Sequence, residues 1–94
     1  MQTVNVRCLC CGSWTLTAPG VFELCPVCWW QDDGQDEADA DVVRGGPNGT
    51  LSLTAARANF RACGASDPRF LGRVRAPRPG ERETGQNSAF RPAV

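Results

Sequence analysis

Ninety-four residues with six cysteines, ten arginines, no lysine and no histidine are enough for one small domain and not for two. Leu, Val and Phe number only 18, with no Ile, so hydrophobic burial alone falls short of offsetting the ordering entropy and something else must hold the fold. The missing histidine removes the commonest acid–base group, and no run approaches the roughly 20 apolar residues of a membrane span.

Residues 1–7 carry no basic segment followed by an apolar one, so no secretory signal is legible. The expectation is therefore a cytoplasmic location, with no membrane association. Thiols stay reduced there, and six cysteines point to metal or redox work rather than to disulfides. Net charge is zero but segregated, at −6 over residues 1–43 and +6 over residues 44–94. Two poles this close in a small chain are expected to neutralise each other, although either could steer a partner.

Three β-like runs open the chain, at residues 3–6, 14–17 and 21–24. The second and third flank Ala18-Pro19-Gly20 and alternate, with Trp14 and Leu16 on one strand and Phe22 and Leu24 on the other. That pattern predicts a hairpin with a cysteine pair at each open end.

The first pair lies in Cys8-Leu9-Cys10-Cys11-Gly12 and the second in Cys25-Pro26-Val27-Cys28, thirteen residues later. A two-residue spacer folds the backbone into a tight knuckle whose two sulfurs share one side and can bind one metal at about 2.3 Å. Gly12 supplies a positive φ, and Pro26 pre-sets the other knuckle. Two knuckles face to face give four sulfurs in tetrahedral array, which suits Zn²⁺. Cys8, Cys11, Cys25 and Cys28 are therefore the expected ligands of one structural zinc ion. The competing reading is a catalytic dithiol, because Cys-Pro-Val-Cys resembles a redox motif. That motif works at a strand-to-helix junction of a thioredoxin-like fold, for which this chain has no room.

Cys10 is read as a partly exposed non-ligand and Cys63 as a small buried hydrophobe. Trp29 and Trp30 come directly after the second knuckle. Adjacent side chains on extended backbone face opposite ways, so one can enter the core while the other stays near the surface as an anchor for a partner.

Residues 31–50 form an acidic, glycine-rich connection ending in Gly45-Gly46-Pro47-Asn48-Gly49. Its acids lack the register of a calcium loop. Residues 51–75 read as helical. Ser52 is the N-cap, Leu53, Ala56, Phe60 and Cys63 form one apolar stripe, and Gly64 ends the helix. Asp67-Pro68 predicts a second short helix with Phe70, Leu71 and Val74 on one side. Domain and tail are thus drawn at 1–75 and 76–94, the latter a proline- and arginine-rich disordered segment.

These residues together resemble the bacterial cysteine-rich CPCC family. The likeness runs over residues 8–77, through both knuckles, Trp29-Trp30-Gln31-Asp32-Asp33, Gly45-Gly46-Pro47-Asn48, the stretch from Ser52 to Phe60, and Arg69-Phe70-Leu71. It departs at Leu9, where the family motif has proline. The resemblance implies a small zinc-binding domain and says nothing of substrate.

The fold class expected is a small α+β zinc-ribbon-like domain, with a Cys₄ zinc site on a β-hairpin and two short helices. The expected function is a non-catalytic zinc-binding module that serves a protein partner. One alternative is a nucleic-acid-associated ribbon using Arg57, Arg61, Arg69, Arg73 and Arg75, which neutrality and the acidic pole disfavour. The other is a thiol redox switch on Cys10 or on Cys25 and Cys28.

Overall fold

The structure is a computed structural model, and it describes residues 6–82. Strand β1 (Val6–Arg7) pairs antiparallel with β2 (Trp14–Leu16), Val6 opposite Leu16 and Arg7 opposite Trp14, with a bulge between Val6 and Arg7. The predicted hairpin therefore closes differently. The run at 14–17 pairs backward across the first knuckle, not forward across Pro19-Gly20. The rest of the first run, residues 3–5, lies outside the described residues.

The third run pairs with residues 31–32, on the far side of the second knuckle. Phe22 N–H donates to the Asp32 carbonyl at 2.8 Å, Asp32 N–H donates to the Glu23 carbonyl at 2.9 Å, and Leu24 bridges Gln31. Each knuckle thus sits at the tip of its own antiparallel ribbon. The physical reason is local. A knuckle reverses the chain by itself, so the residues on either side of it are neighbours before any distant run can compete. Leu16 enters the core at 1% exposure, whereas Phe22 and Leu24 remain 52% and 40% exposed.

Helix α1 (Leu53–Cys63) forms where the sequence places it. Ser52 Oγ accepts from Ala55 N–H at 3.0 Å, which satisfies one of the orphan donors of the first turn. Gly64 ends it at φ 88°, in the left-handed region that costs glycine nothing, and its N–H caps the Phe60 carbonyl. Leu53 and Ala56 are fully buried and Phe60 half-buried, but Cys63 is exposed, so the expected buried thiol is corrected: the stripe leaves the core before the last turn. The second helix is also corrected. Asp67 caps it and Pro68 starts it, yet only one 3₁₀ turn forms (Pro68–Phe70), and Leu71 is 50% exposed.

The core is as small as the composition implies. Leu16, Val27, Trp30, Leu53 and Ala56 pack with Cys8, Cys25 and Cys28, so the cysteines are themselves core residues. The acidic connection is a hydrogen-bonded scaffold. Asp36 and Asp39 cap the turn Glu37–Asp39 reciprocally, and Asp32 carboxylate oxygens accept from Gly20 and Gly34 N–H. Gln35, 1% exposed, donates from Nε2 to the carbonyls of Asp39 and Val42. Structure continues past Ala76. Pro79–Glu81 forms a 3₁₀ turn against β2, and Glu81 receives a two-pronged hydrogen bond from Arg75 at 2.7 and 2.9 Å. The remainder of the segment read as a tail, residues 83–94, lies outside the described residues. Among the described residues no helix is long and apolar enough to cross a membrane.

Candidate metal centre

The two knuckles have the same backbone hydrogen bonds. In the first, Gly12 N–H donates to the Cys8 carbonyl at 2.7 Å and Cys8 N–H to the Ser13 carbonyl at 2.8 Å. In the second, Trp29 N–H donates to the Cys25 carbonyl at 2.8 Å and Cys25 N–H to the Trp30 carbonyl at 2.9 Å. Both require a left-handed residue directly after the second cysteine, and they have it in Gly12 at φ 83° and Trp29 at φ 71°. Glycine adopts that backbone freely. For tryptophan it costs about 1–2 kcal/mol.

The knuckles meet sulfur to sulfur. Cys8 Sγ lies 3.5 Å from Cys28 Sγ, Cys11 Sγ lies 3.8 Å from Cys25 Sγ, and all four sulfurs fall within 4.8 Å of one another. A tetrahedron with metal–sulfur bonds of about 2.3 Å has edges of about 3.8 Å, so the four sulfurs are spaced to hold one ion. All six cysteines are free thiols, and the pairs that face each other are not disulfide-bonded. Cys8, Cys25 and Cys28 are fully buried and Cys11 is half-buried.

Electrostatics argue in the same direction. Cys25 is held well below the ordinary thiol range because its sulfur accepts from Cys11 first, then from Cys28 and Cys8, with a further hydrogen bond from Thr15. Cys28 is pushed well above that range by the crowding of Cys10, Cys11, Cys25 and Cys8, and Cys8 is pushed up chiefly by Cys11 and Cys25. Four sulfurs this close cannot all be anionic without a cation among them, and a divalent ion held there would supply that charge. Thr15 Oγ1 donates to Cys25 Sγ at 3.1 Å, an outer hydrogen bond of the kind that orients a ligand sulfur.

The sequence model of the family described as cysteine-rich CPCC matches residues 6–81. The chain belongs to the cysteine-rich CPCC family. No curated protein and no solved structure matches it. In this CPCC chain the match reaches Glu81, four residues beyond the span of the resemblance and as far as the turn that Arg75 secures.

The cysteines outside the group differ from expectation in opposite ways. Cys10 is 7% exposed, not partly exposed, and belongs to the core cluster. Cys63 is exposed, with its Sγ 3.8 Å from the Ala65 carbonyl. The tryptophans divide as expected, although Trp29 is left-handed rather than extended, so strand alternation is not the cause. Trp30 is 1% exposed in the core, and Trp29 is half-buried with its ring 6.5 Å from that of Phe70.

Four arginines of the basic half meet carboxylates among the described residues. Arg57 pairs with Glu37, Arg44 with Asp39, Arg69 with Asp67 and Arg75 with Glu81. The first two join the basic half to the acidic connection, which is the neutralisation expected of the segregated charge.

Two supports escaped sequence reasoning. Asn48 Nδ2 donates to the Gln31 carbonyl at 2.7 Å while Asn48 Oδ1 accepts from Gln31 N–H at 3.2 Å, so one side-chain amide stands in for a neighbouring strand beside Trp30. Ser66 N–H donates to the Cys28 carbonyl at 2.7 Å and ties the second knuckle to the exit of α1. The turn cluster that contains Asn48 signalled the first of these only as a loop. Nothing in the sequence signalled the second.

Proposed function

We propose that this CPCC domain is a zinc-ribbon-like, non-catalytic module whose single Zn²⁺ is structural and whose surface serves a protein partner. The observation that carries the reading is the convergence of Cys8, Cys11, Cys25 and Cys28, with all four sulfurs within 4.8 Å. A tetrahedral site filled by four thiolates keeps no position for water or substrate, so the metal holds the fold rather than activating a nucleophile. Zinc matches an all-sulfur tetrahedral donor set because a d¹⁰ ion imposes no geometry of its own. Six free thiols accord with a reducing compartment such as the cytoplasm.

A protein partner is favoured by the apolar side chains on the second ribbon, Val21 at 55%, Phe22 at 52% and Leu24 at 40% exposure. The nucleic-acid alternative draws less support. Three of its five arginines, Arg57, Arg69 and Arg75, already have carboxylate partners. The thiol-switch alternative is weakened by the burial of Cys10.

Mass spectrometry of the purified protein under native and denaturing conditions tests the reading. One zinc per chain, lost on denaturation, is the expected result. A folded, metal-free protein would overturn it. Native-host pull-down with Phe22→Ser as the comparison tests the partner, and a specific partner retained equally by both proteins would remove that surface from the account.

A further inference from the structure

Arg57 lies in the middle of helix α1, and its guanidinium reaches the first knuckle. Nε donates to the carbonyl of Leu9 at 2.7 Å, across 48 residues of sequence. Nη1 and Nη2 donate to Glu37 Oε1 and Oε2 at 3.1 and 2.6 Å. Three of the five guanidinium N–H groups are thus engaged, with Glu37 fixing the plane of the fork and Leu9 receiving its Nε edge. The Arg57 side chain is 23% exposed, so its bond to Leu9 is partly shielded from water, whereas Glu37 is 78% exposed and the ion pair faces solvent.

Leu9 stands in the spacer between Cys8 and Cys11, where the backbone decides how the two sulfurs diverge. The spacer of the second knuckle begins with Pro26, whose ring locks φ. Leucine offers the first spacer no such restraint. The hydrogen bond from Arg57 supplies one from outside, by holding the Leu9 peptide in place.

Charge gives a second, independent line. A divalent ion on four thiolates leaves the centre at −2, and burial makes that charge felt. Arg57 borders the recess over the first knuckle, beside Cys10 and Cys11. Arg7 and Arg61 line the same shallow recess of about 280 Å³. Arg57 is hydrogen-bonded to the knuckle's own backbone, which places it to offset the charge of a filled centre, whereas Arg61 shares the recess without that tie.

We infer that Arg57 is a positioning residue of the metal centre: it fixes the first knuckle through the Leu9 carbonyl and offsets the charge of the loaded site, with Glu37 orienting it. This rests on the reading that the four cysteines hold a metal, and the experiment separates the two. Titrate Co²⁺ into the full chain and into Arg57→Gln, Arg57→Lys, Glu37→Gln and Arg61→Gln, tracking the thiolate-to-cobalt charge-transfer and d–d bands. Measure also the rate at which each loaded protein yields its metal to a chelator.

Arg57→Gln is expected to weaken Co²⁺ binding about 10- to 100-fold, to shift the charge-transfer band and to speed release. Arg57→Lys keeps the charge without the fork and is expected to recover part of that loss. Glu37→Gln keeps the Leu9 bond and should lose only severalfold. Arg61, which makes no ion pair with a described residue, should tolerate glutamine within about twofold. Arg57→Gln with the affinity and spectrum of Arg61→Gln would overturn the inference. Should Arg57→Gln fail to fold, Arg57→Lys and Glu37→Gln decide, and affinities equal to the parent chain's would overturn it. A parent chain that gives no tetrahedral cobalt spectrum would instead defeat the metal reading itself.

Discussion

The two knuckles share a hydrogen-bond pattern and are stabilised by opposite means. The first, Cys8 to Cys11, has the easy backbone: Gly12 takes the left-handed position at φ 83° without strain. Its spacer lacks proline, and it is steadied from outside, by Arg57 on the Leu9 carbonyl. The second, Cys25 to Cys28, has the stiff backbone. Pro26 restricts its spacer, and Trp29 is held at φ 71° against its preference. What offsets that strain is contact, since Trp29 lies on Phe70 and Ser66 N–H secures the Cys28 carbonyl. A knuckle therefore needs its turn enforced by something, and local rigidity, tertiary hydrogen bonds and packing are interchangeable sources.

The largest effects should erase the difference between the knuckles. Cys8→Ser and Cys25→Ser each remove one thiolate from a four-sulfur site. Structural zinc contributes on the order of 10 kcal/mol to folding at neutral pH, which is comparable to the whole stability of a small domain. Both variants should be unfolded by circular dichroism at 25 °C, to the same degree. A folded Cys8→Ser beside an unfolded Cys25→Ser would mean that only the second knuckle is coupled to the fold.

The next effect belongs to one knuckle alone. Thr15→Val removes the hydroxyl that donates to Cys25 Sγ at 3.1 Å, and no side-chain hydroxyl does the same for Cys8 or Cys11 among the described hydrogen bonds. A roughly 10- to 100-fold loss of metal affinity is expected in competition with a chromophoric chelator, with the fold retained at saturating metal.

Backbone strain should then show as a reversed preference for glycine over alanine. Gly12→Ala should cost about 1–2 kcal/mol in urea denaturation of the metal-loaded protein. At the other knuckle, Trp29→Gly should be more stable than Trp29→Ala by about the same amount, since both lose the ring and only alanine keeps the strain. Unequal values would show that the left-handed turn is enforced more tightly in one knuckle than in the other.

The smallest effect is electrostatic and sits on the strand entering the second knuckle. Glu23 accepts from Ala18 N–H, Thr17 N–H and Thr17 Oγ1, and these bonds hold its carboxyl below the usual carboxylate range. A lowered folded pKa contributes stability that is present above the unfolded value near 4.5 and lost as pH falls through the folded one. The stability gap between the parent chain and Glu23→Gln should therefore be widest above pH 4.5 and close below it. Urea midpoints across that range would show it, and a gap independent of pH would remove Glu23 from the account.

Legibility tracks the range of the interactions. The cysteine spacing, Gly12, Ser52 and Gly64 are readable because each acts within a few residues of itself. Strand pairing is not, because Pro19-Gly20 looks like a hairpin turn, whereas Cys8 N–H bonded to the Ser13 carbonyl has already brought Arg7 beside Trp14. The second helix fails because a capping aspartate and a proline start a turn but cannot extend one without a buried face, and Leu71 and Arg73 are exposed. Cys10 and Cys63 exchange environments because burial depends on which elements cover a position. Arg57 on Leu9, Asn48 on Gln31 and Ser66 on Cys28 join residues 48, 17 and 38 positions apart, and no local pattern announces such bonds.

The central claim is that a four-thiolate metal centre and the fold are one cooperative unit. It is tested most directly by titrating the purified protein with a high-affinity chelator while recording tryptophan fluorescence and released metal in the same cuvette. Trp30, fully buried in the core beside the clustered cysteines, reports the core. One equivalent of zinc leaving in step with the exposure of Trp30 is the predicted result. Complete removal of metal with the fluorescence unchanged would contradict the account.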